Sequence, residues 1–261
     1  MWSIFDKLKR SRTITDVPLP GGVEKFVIIS TPRTGSNLLC GMLNSHPRVT
    51  CFHELFHANG IYYGPANNGR FDFGTIDDRD SRPHEFIQKI YGADAASKAI
   101  GFKIFQGHND RVLNFLLDHP EIRKIVLKRD NLLFSYTSAL VARSTQKWQQ
   151  VGDSPSAATG KVHVDPAEFI RYAKKISGFY TAVEDRLETK KFLALEYTDL
   201  LAREAVINEL LEFIGLGGEP VSKLEKLHRK QNANRLVDRI SNYHDLKTAL
   251  RATPYESFFE E

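Results

Sequence analysis

The segment Thr31-Pro32-Arg33-Thr34-Gly35-Ser36-Asn37 holds residue types that grip an oxyanion. A glycine lets the backbone approach a phosphate closely. An arginine supplies a permanent charge on a two-pronged donor. The Ser36 hydroxyl and the Asn37 amide can donate further hydrogen bonds. The apolar run Phe26-Val27-Ile28-Ile29 precedes the segment, and Leu38, Leu39, Met42 and Leu43 recur behind it at helical spacing. Strand, tight loop and helix together bring unpaired amides and the positive end of a helix to one point, an anion-binding geometry. An ordinary strand-to-helix turn capped by Ser36 or Asn37 would share the same residues. The metal-dependent loop G-x-x-x-x-G-K-[ST] fits less well. No glycine stands five positions before Gly35, and the basic residue precedes the glycine instead of following it.

The elements that must position this loop are legible as apolar runs. Strands are expected at 25–30, 49–52, 99–105, 124–128 and 192–196. Helices are expected after the loop and at 112–117, 132–144, 166 to about 188, and 202–214, the fourth opened by Pro166. The remainder reads as mostly helical, with an irregular basic stretch at 228–235. Residues 53–85 and 145–165 read as long, irregular segments. Strands alternating with helices predict a parallel α/β sheet covered on both faces. One domain over 1–261 is expected, with 1–24 as an N-terminal arm and 58–85 and 145–165 as insertions over the sheet.

Composition narrows the function. At 261 residues, with 41% hydrophobic and 26% charged, the chain is globular and neither collagen-like nor wholly disordered. A net charge of +4 is too mild for a nucleic-acid-coating protein and suits a pocket for one anionic ligand. No apolar run approaches ~18 residues, so no transmembrane helix is expected. Trp2, Ile4, Phe5 and Leu8 beside Lys7, Lys9, Arg10 and Arg12 could form a short interfacial helix making transient membrane contact. An arm without a membrane role is the plainer alternative. Cys40 and Cys51 cannot build a disulfide framework, and they read as buried, reduced thiols of a cytoplasmic protein. No CxxC or HExxH spacing suggests a metal.

FVIISTPRTGSNLL resembles the 5′-phosphosulfate loop of sulfotransferases that use 3′-phosphoadenosine 5′-phosphosulfate (PAPS). KIVLKRDNLLFSYTSA resembles their 3′-phosphate segment, a strand followed by Arg-Asp and a helix carrying a serine. EYTDLL followed by LLEFIGL resembles a late strand-helix unit of the same enzymes. HELF, GFKI, RSTQKW and the ending YESFFEE are similar to the bacterial carbohydrate sulfotransferases of the NodH and trehalose-sulfotransferase type. The likeness runs from about Phe26 to the C-terminus. It implies a three-layer, P-loop-like α/β fold, PAPS as donor with adenosine 3′,5′-bisphosphate (PAP) as product, a carbohydrate or glycolipid acceptor, and a homodimer.

The resemblance also assigns residues. Pro32, Arg33, Thr34, Gly35, Ser36 and Asn37 would hold the phosphosulfate, and Arg129 the 3′-phosphate. Spacing allows Ser135, Thr137 or Ser138 beside Arg129, and the family pattern favours Ser138. Glu54 resembles the general base of the carbohydrate group, with His53 and His57 as competitors. A glutamate beside two histidines could equally be a surface cluster or a weak metal site. Lys103 sits in an otherwise apolar strand, where a charge is costly without a partner. It would balance charge on the transferring sulfuryl group or snorkel to solvent from a sheet edge. Arg229 or Lys230, in the basic stretch 228–232, would fold over the nucleotide. Tyr62, Tyr63, Phe71, Phe73 and Trp148 would stack on sugar faces or form small satellite cores, with Asn67, Asn68 and Asp72 binding hydroxyls. Two departures stand out: Asn37 where many relatives carry Thr, and Asn131 where Pro often follows Arg-Asp. A metal-dependent kinase and a nucleotide-binding protein without catalysis are the alternatives.

Overall fold

A computed structural model describes residues 18–145, 160–201, 204–218 and 235–260. Five strands form one parallel sheet: β1 (Glu24–Ser30), β2 (Val49–Phe52), β3 (Ala99–Phe105), β4 (Ile122–Lys128) and β5 (Phe192–Glu196). Their spatial order is β2-β3-β1-β4-β5. Helices α1 (Ser36–Asn44), α2 (Ile76–Ser81), α3 (Pro83–Tyr91), α4 (Asp110–Asp118), α5 (Leu132–Thr145), α6 (Pro166–Leu187), α7 (Glu204–Phe213), α8 (Leu236–Arg239) and α9 (Tyr243–Ala249) connect and cover it. The expected α/β architecture with layers on both faces is therefore present.

Strand alternation builds the two cores. Val27 and Ile29 of β1 face a cluster with Phe86 of α3, Leu116 of α4, Leu133 of α5 and Phe179 of α6. Phe26 and Ile28 face the opposite cluster, with Leu39 of α1 and Ile207 of α7. Both faces being buried explains why these strands read as unbroken apolar runs. In α6, Phe169, Ala173, Ile176, Tyr180, Val183 and Leu187 recur every three or four residues along the buried face. Asp165 caps that helix through the Glu168 amide, and Pro166 opens it.

One expectation is corrected. The stretch 53–85 is not irregular throughout, because α2 and the start of α3 lie within it. Thr75 and Asp78 form a reciprocal capping box that starts α2, and Pro83 starts α3.

The topology places the site. The chain leaves β1 towards β2 on one side of the sheet, and leaves β4 towards β5 on the other. Connections diverging from adjacent strands open a crevice at their C-terminal ends, where open α/β sheets bind ligands.

Candidate active site

The loop after β1 is closed by its own side chains. Thr34 Oγ1 donates to the Thr31 carbonyl at 2.9 Å. Tyr180 of α6 donates to the Leu127 carbonyl at 2.8 Å and lies 3.1 Å from the Thr31 hydroxyl, tying the loop to β4. Arg33 adopts a left-handed backbone with φ +70, and Gly35 one with φ +88. An arginine in that region is strained by about 1–3 kcal/mol, a cost met mainly at functional sites. Gly35 also lies against the Tyr197 ring, where an added Cβ would come within 2.6 Å of Cδ2. α1 begins at Gly35 with no side-chain cap and no acid in its first turn. Its positive end thus faces the crevice without a negative side chain of its own.

Two arginines from distant parts of the chain meet here. Arg129, just past β4, donates to the Arg33 carbonyl at 3.1 Å. Its guanidinium packs over Tyr197, 4.4 Å from the ring centre, and over Phe134 at 5.3 Å. Arg33 Nε donates to the Ser138 hydroxyl of α5 at 2.8 Å. Burial, together with the neighbouring Arg129 charge, lowers the Arg33 guanidinium from its ordinary value. Burial lowers Arg129 as well. Like charges held side by side at a helix N-terminus make an arrangement that an anion relieves.

Next to the arginines lies a buried ion pair. Lys103 of β3 is 1% exposed and reaches Glu54 Oε1 at 3.1 Å. The same ammonium donates to Asn37 Oδ1 and approaches Ser36 Oγ at 3.5 Å. The expectation of a lysine snorkelling from a sheet edge is thereby overturned: β3 lies between β2 and β1, and Lys103 has a carboxylate partner. Burial alone would raise the Glu54 carboxyl, but the His108 hydrogen bond and the Lys103 charge outweigh it and hold Glu54 at about 2. His108 Nε2 stands 3.5 Å from Glu54 Oε2.

Glu54, His57 and His108 bring one ligand atom each within 4.8 Å of the others, the one metal-compatible group among the described residues. The polarity of the rings opposes that use. His57 Nδ1 accepts from the Asn59 amide at 3.1 Å, and His108 Nδ1 from the Phe105 amide at 3.3 Å. In a neutral ring this puts the proton on Nε2, so the atoms turned to a metal would be donors. Burial and the neighbouring His108 lower the His57 imidazole, which favours its neutral form. The two rings present protons to the Glu54 carboxylate better than lone pairs to a cation.

The structure thus gathers Arg33, Gly35, Ser36, Asn37, Lys103, Glu54, Arg129 and Ser138 into one locus, with Thr34 bracing the loop and Pro32 exposed at its tip. Ser138 alone of the three candidates bonds Arg33. Thr137 spends its hydroxyl on the Leu133 and Phe134 carbonyls, and Ser135 Oγ is buried without a protein partner. Arg229, Lys230 and Trp148 lie outside the described residues.

Two expectations are corrected, and a third is decided between its alternatives. His53 is a core residue, 2% exposed, with its ring against Gly64. Asn67 is also buried, with its amide on the Cys51 carbonyl, and offers nothing to a sugar. Of the two roles expected for the aromatics, Tyr63, Phe71 and Phe73 take the packing one, edge-on against Phe52 at the margin of the larger core, leaving Tyr62 as the exposed ring among these, 5.1 Å from His57. His108, Tyr180 and Tyr197 were missed, because nothing local in the sequence ties them to the loop. Cys40 and Cys51 are buried free thiols, as expected. No described helix is long and apolar enough to cross a membrane.

Comparison with known proteins bears on this locus. The chain is 27% identical over 255 residues to nodulation protein H of Rhizobium tropici, covering 95% of this chain and 96% of the relative. It is 26% identical over 242 residues to nodulation protein H of Rhizobium meliloti strain 1021, covering 91% and 95%. A solved sulfotransferase from Alicyclobacillus acidocaldarius shares the fold, with a TM-score of 0.52 at 15% identity over 90% of this chain and 91% of that one. The family profile described as "Sulfotransferase family" matches residues 25–220, the span holding the anion loop, both arginines and the Glu54–Lys103 pair, and the chain belongs to that family.

Proposed function

We propose that the enzyme moves the sulfuryl group of PAPS onto a hydroxyl of a carbohydrate or glycolipid, with Glu54 as general base. The observation that carries this reading is the position of Lys103, whose ammonium touches Ser36 and Asn37 of the anion loop and Glu54 at once. One side chain therefore joins the proposed donor surface to the one carboxylate that the described residues bring to the cluster.

The roles divide by charge. Arg33, the α1 amides and Ser36 would hold the 5′-phosphosulfate, and Arg129 with Ser138 the 3′-phosphate. The acceptor oxygen attacks sulfur in line with the leaving phosphate oxygen. A sulfur–oxygen bond forms to the acceptor as the one to the phosphate breaks. The proton passes from the acceptor to Glu54, and PAP departs with the electron pair. Lys103 and Arg33 stabilise charge gathering on the leaving oxygen.

A carboxylate held at about 2 is a weak base in the resting site. Donor binding draws Lys103 towards the phosphosulfate and loosens its grip on Glu54. The carboxyl, still buried, then rises as the acceptor hydroxyl arrives. His108 keeps the other carboxylate oxygen in place. Tyr62, 46% exposed beside His57, offers an aromatic face to a sugar ring.

Calorimetry with PAP, followed by transfer from radiolabelled PAPS to a panel of sugars and lipid extracts, tests the reading. Binding of PAP and label on a carbohydrate acceptor are expected. A chain that ignores PAP would remove the donor assignment, and label appearing only on non-carbohydrate alcohols would remove the acceptor class.

A further inference from the structure

At the N-terminal end of the sheet, away from the anion loop, a cavity of about 870 Å³ opens between the starts of β1 and β4. Lys25, Lys98, Arg123, Lys124, Lys190 and Lys191 line it, against three carboxylates. Among the described residues, six cations less three anions line this cavity, a difference of +3 in a chain whose total is +4.

The carboxylates are already engaged. Glu24 takes Arg123 at 3.0 Å, and Glu121 takes Lys25 at 3.3 Å. Asp118 holds Lys190 at 3.0 Å and also accepts from Arg186 Nε at 3.1 Å. Lys124 is left with a carbonyl. The residue is 3% exposed, and its ammonium donates to His119 O at the end of α4. Among the described residues no carboxylate lies within ion-pair distance of it. Val27 and Lys124 are partners in register, so Lys25 and Lys124 emerge on the same face of adjacent strands. Helix C-termini explain one hydrogen bond from each of Lys124 and Lys190, but not the surplus charge.

We infer that this cavity is a second anion site, which takes a small polyanion bearing two or more phosphate or sulfate groups. Such a ligand would satisfy the remaining protons of Lys124 and reach Lys191 at the rim. Burial, with the charge of Lys190, outweighs the attraction of Asp118 and lowers the Lys124 amine to about 8, and a bound polyanion would raise it again. The site is independent of the donor reading.

The test is titration of pyrophosphate into the full chain. Arg33→Ala/Arg129→Ala is expected to retain one pyrophosphate site. Lys98→Glu/Lys191→Glu, at two exposed positions that do not threaten folding, is expected to weaken that site about tenfold or more. Loss of all binding in the arginine variant, or no change in the lysine variant, would overturn the inference. NMR of the lysine ammonium groups supplies a second readout. Pyrophosphate should move the Lys124 titration upward, and an unmoved titration would also refute the site.

Discussion

Three lysines are buried in the sheet; Lys25 pairs with Glu121, and the surroundings of the other two give them opposite meanings. Lys103, towards the C-terminal end of β3, meets a carboxylate, a hydroxyl and an amide oxygen. Lys124, near the start of β4, meets a carbonyl. In the first case burial of the cation is offset by an anion that is itself reset, since Glu54 sits at about 2. In the second the burial cost stays on the lysine, whose amine falls to about 8. A buried charge with a partner belongs to a machine already assembled. A buried charge that bonds a carbonyl, with Asp118 close enough to attract it but outweighed by burial and Lys190, is one that costs stability until a ligand arrives.

The largest expected effect breaks the first pair from the carboxylate side. Glu54→Gln should lower kcat by about a thousandfold, within the range for loss of a general base, while the Kd for PAP stays put. Near-normal turnover would move the base to His108 or His57. Removing the other partner tests the clamp. Lys103→Met leaves a carboxylate buried without its cation, which should cost about 3 kcal/mol in chemical denaturation. It should also shift the acid limb of kcat/KM to higher pH, because burial then dominates Glu54. The linkage sign agrees. Glu54 lies below its ordinary 4.5, so its contribution is present above pH 4.5 and is lost as pH falls towards 2. Wild type should therefore lose thermal stability across that window more steeply than Lys103→Met. Equal slopes would dissociate the two residues.

A smaller effect is expected where the pair meets the donor surface. Arg129→Ala removes one charged donor and the cation stacked on Tyr197. PAP affinity should fall by about thirtyfold, or ~2 kcal/mol by calorimetry, with little change in melting temperature. An unaltered Kd would separate Arg129 from the nucleotide.

How far these pairs were legible in the sequence follows from what each depends on. The five strands were visible because a sheet buried on both faces leaves continuous apolar runs. The anion loop was visible because its glycine, arginine and hydroxyls are adjacent in the chain. Lys103 was visible as an anomaly, but its partner was not. That contact needs β2 and β3 in register, with Phe52 opposite Phe102, so that Glu54 and Lys103 follow at the same end. His108 carries no local pattern at all and enters the site only through the loop after β3. The aromatic residues of 58–85 had the right composition for a sugar platform. Whether an aromatic ring faces sugar or core depends on packing against Phe52, which composition does not encode. Helix α2 is different, since Thr75-x-x-Asp78 is a readable start signal within a segment whose composition reads as irregular.

The smallest effect is the one with the unexpected sign. Lys124→Met should stabilise the protein at pH 7, by about 1–2 kcal/mol after subtracting the lost bond to His119 O. The folded-state amine titrates near 8 and the unfolded one near 10.5, so the unfolded chain binds more protons between those values. Wild type should therefore gain stability as pH rises from 8 to 10.5, and the advantage of Lys124→Met should vanish over the same interval. Denaturation curves at pH 7, 9 and 10.5 would display this convergence. A variant less stable than wild type at pH 7 would mean that the carbonyl contact outweighs the burial cost. Lys124 would then be an ordinary helix cap, and the contrast with Lys103 would reduce to a difference of partner and not of purpose.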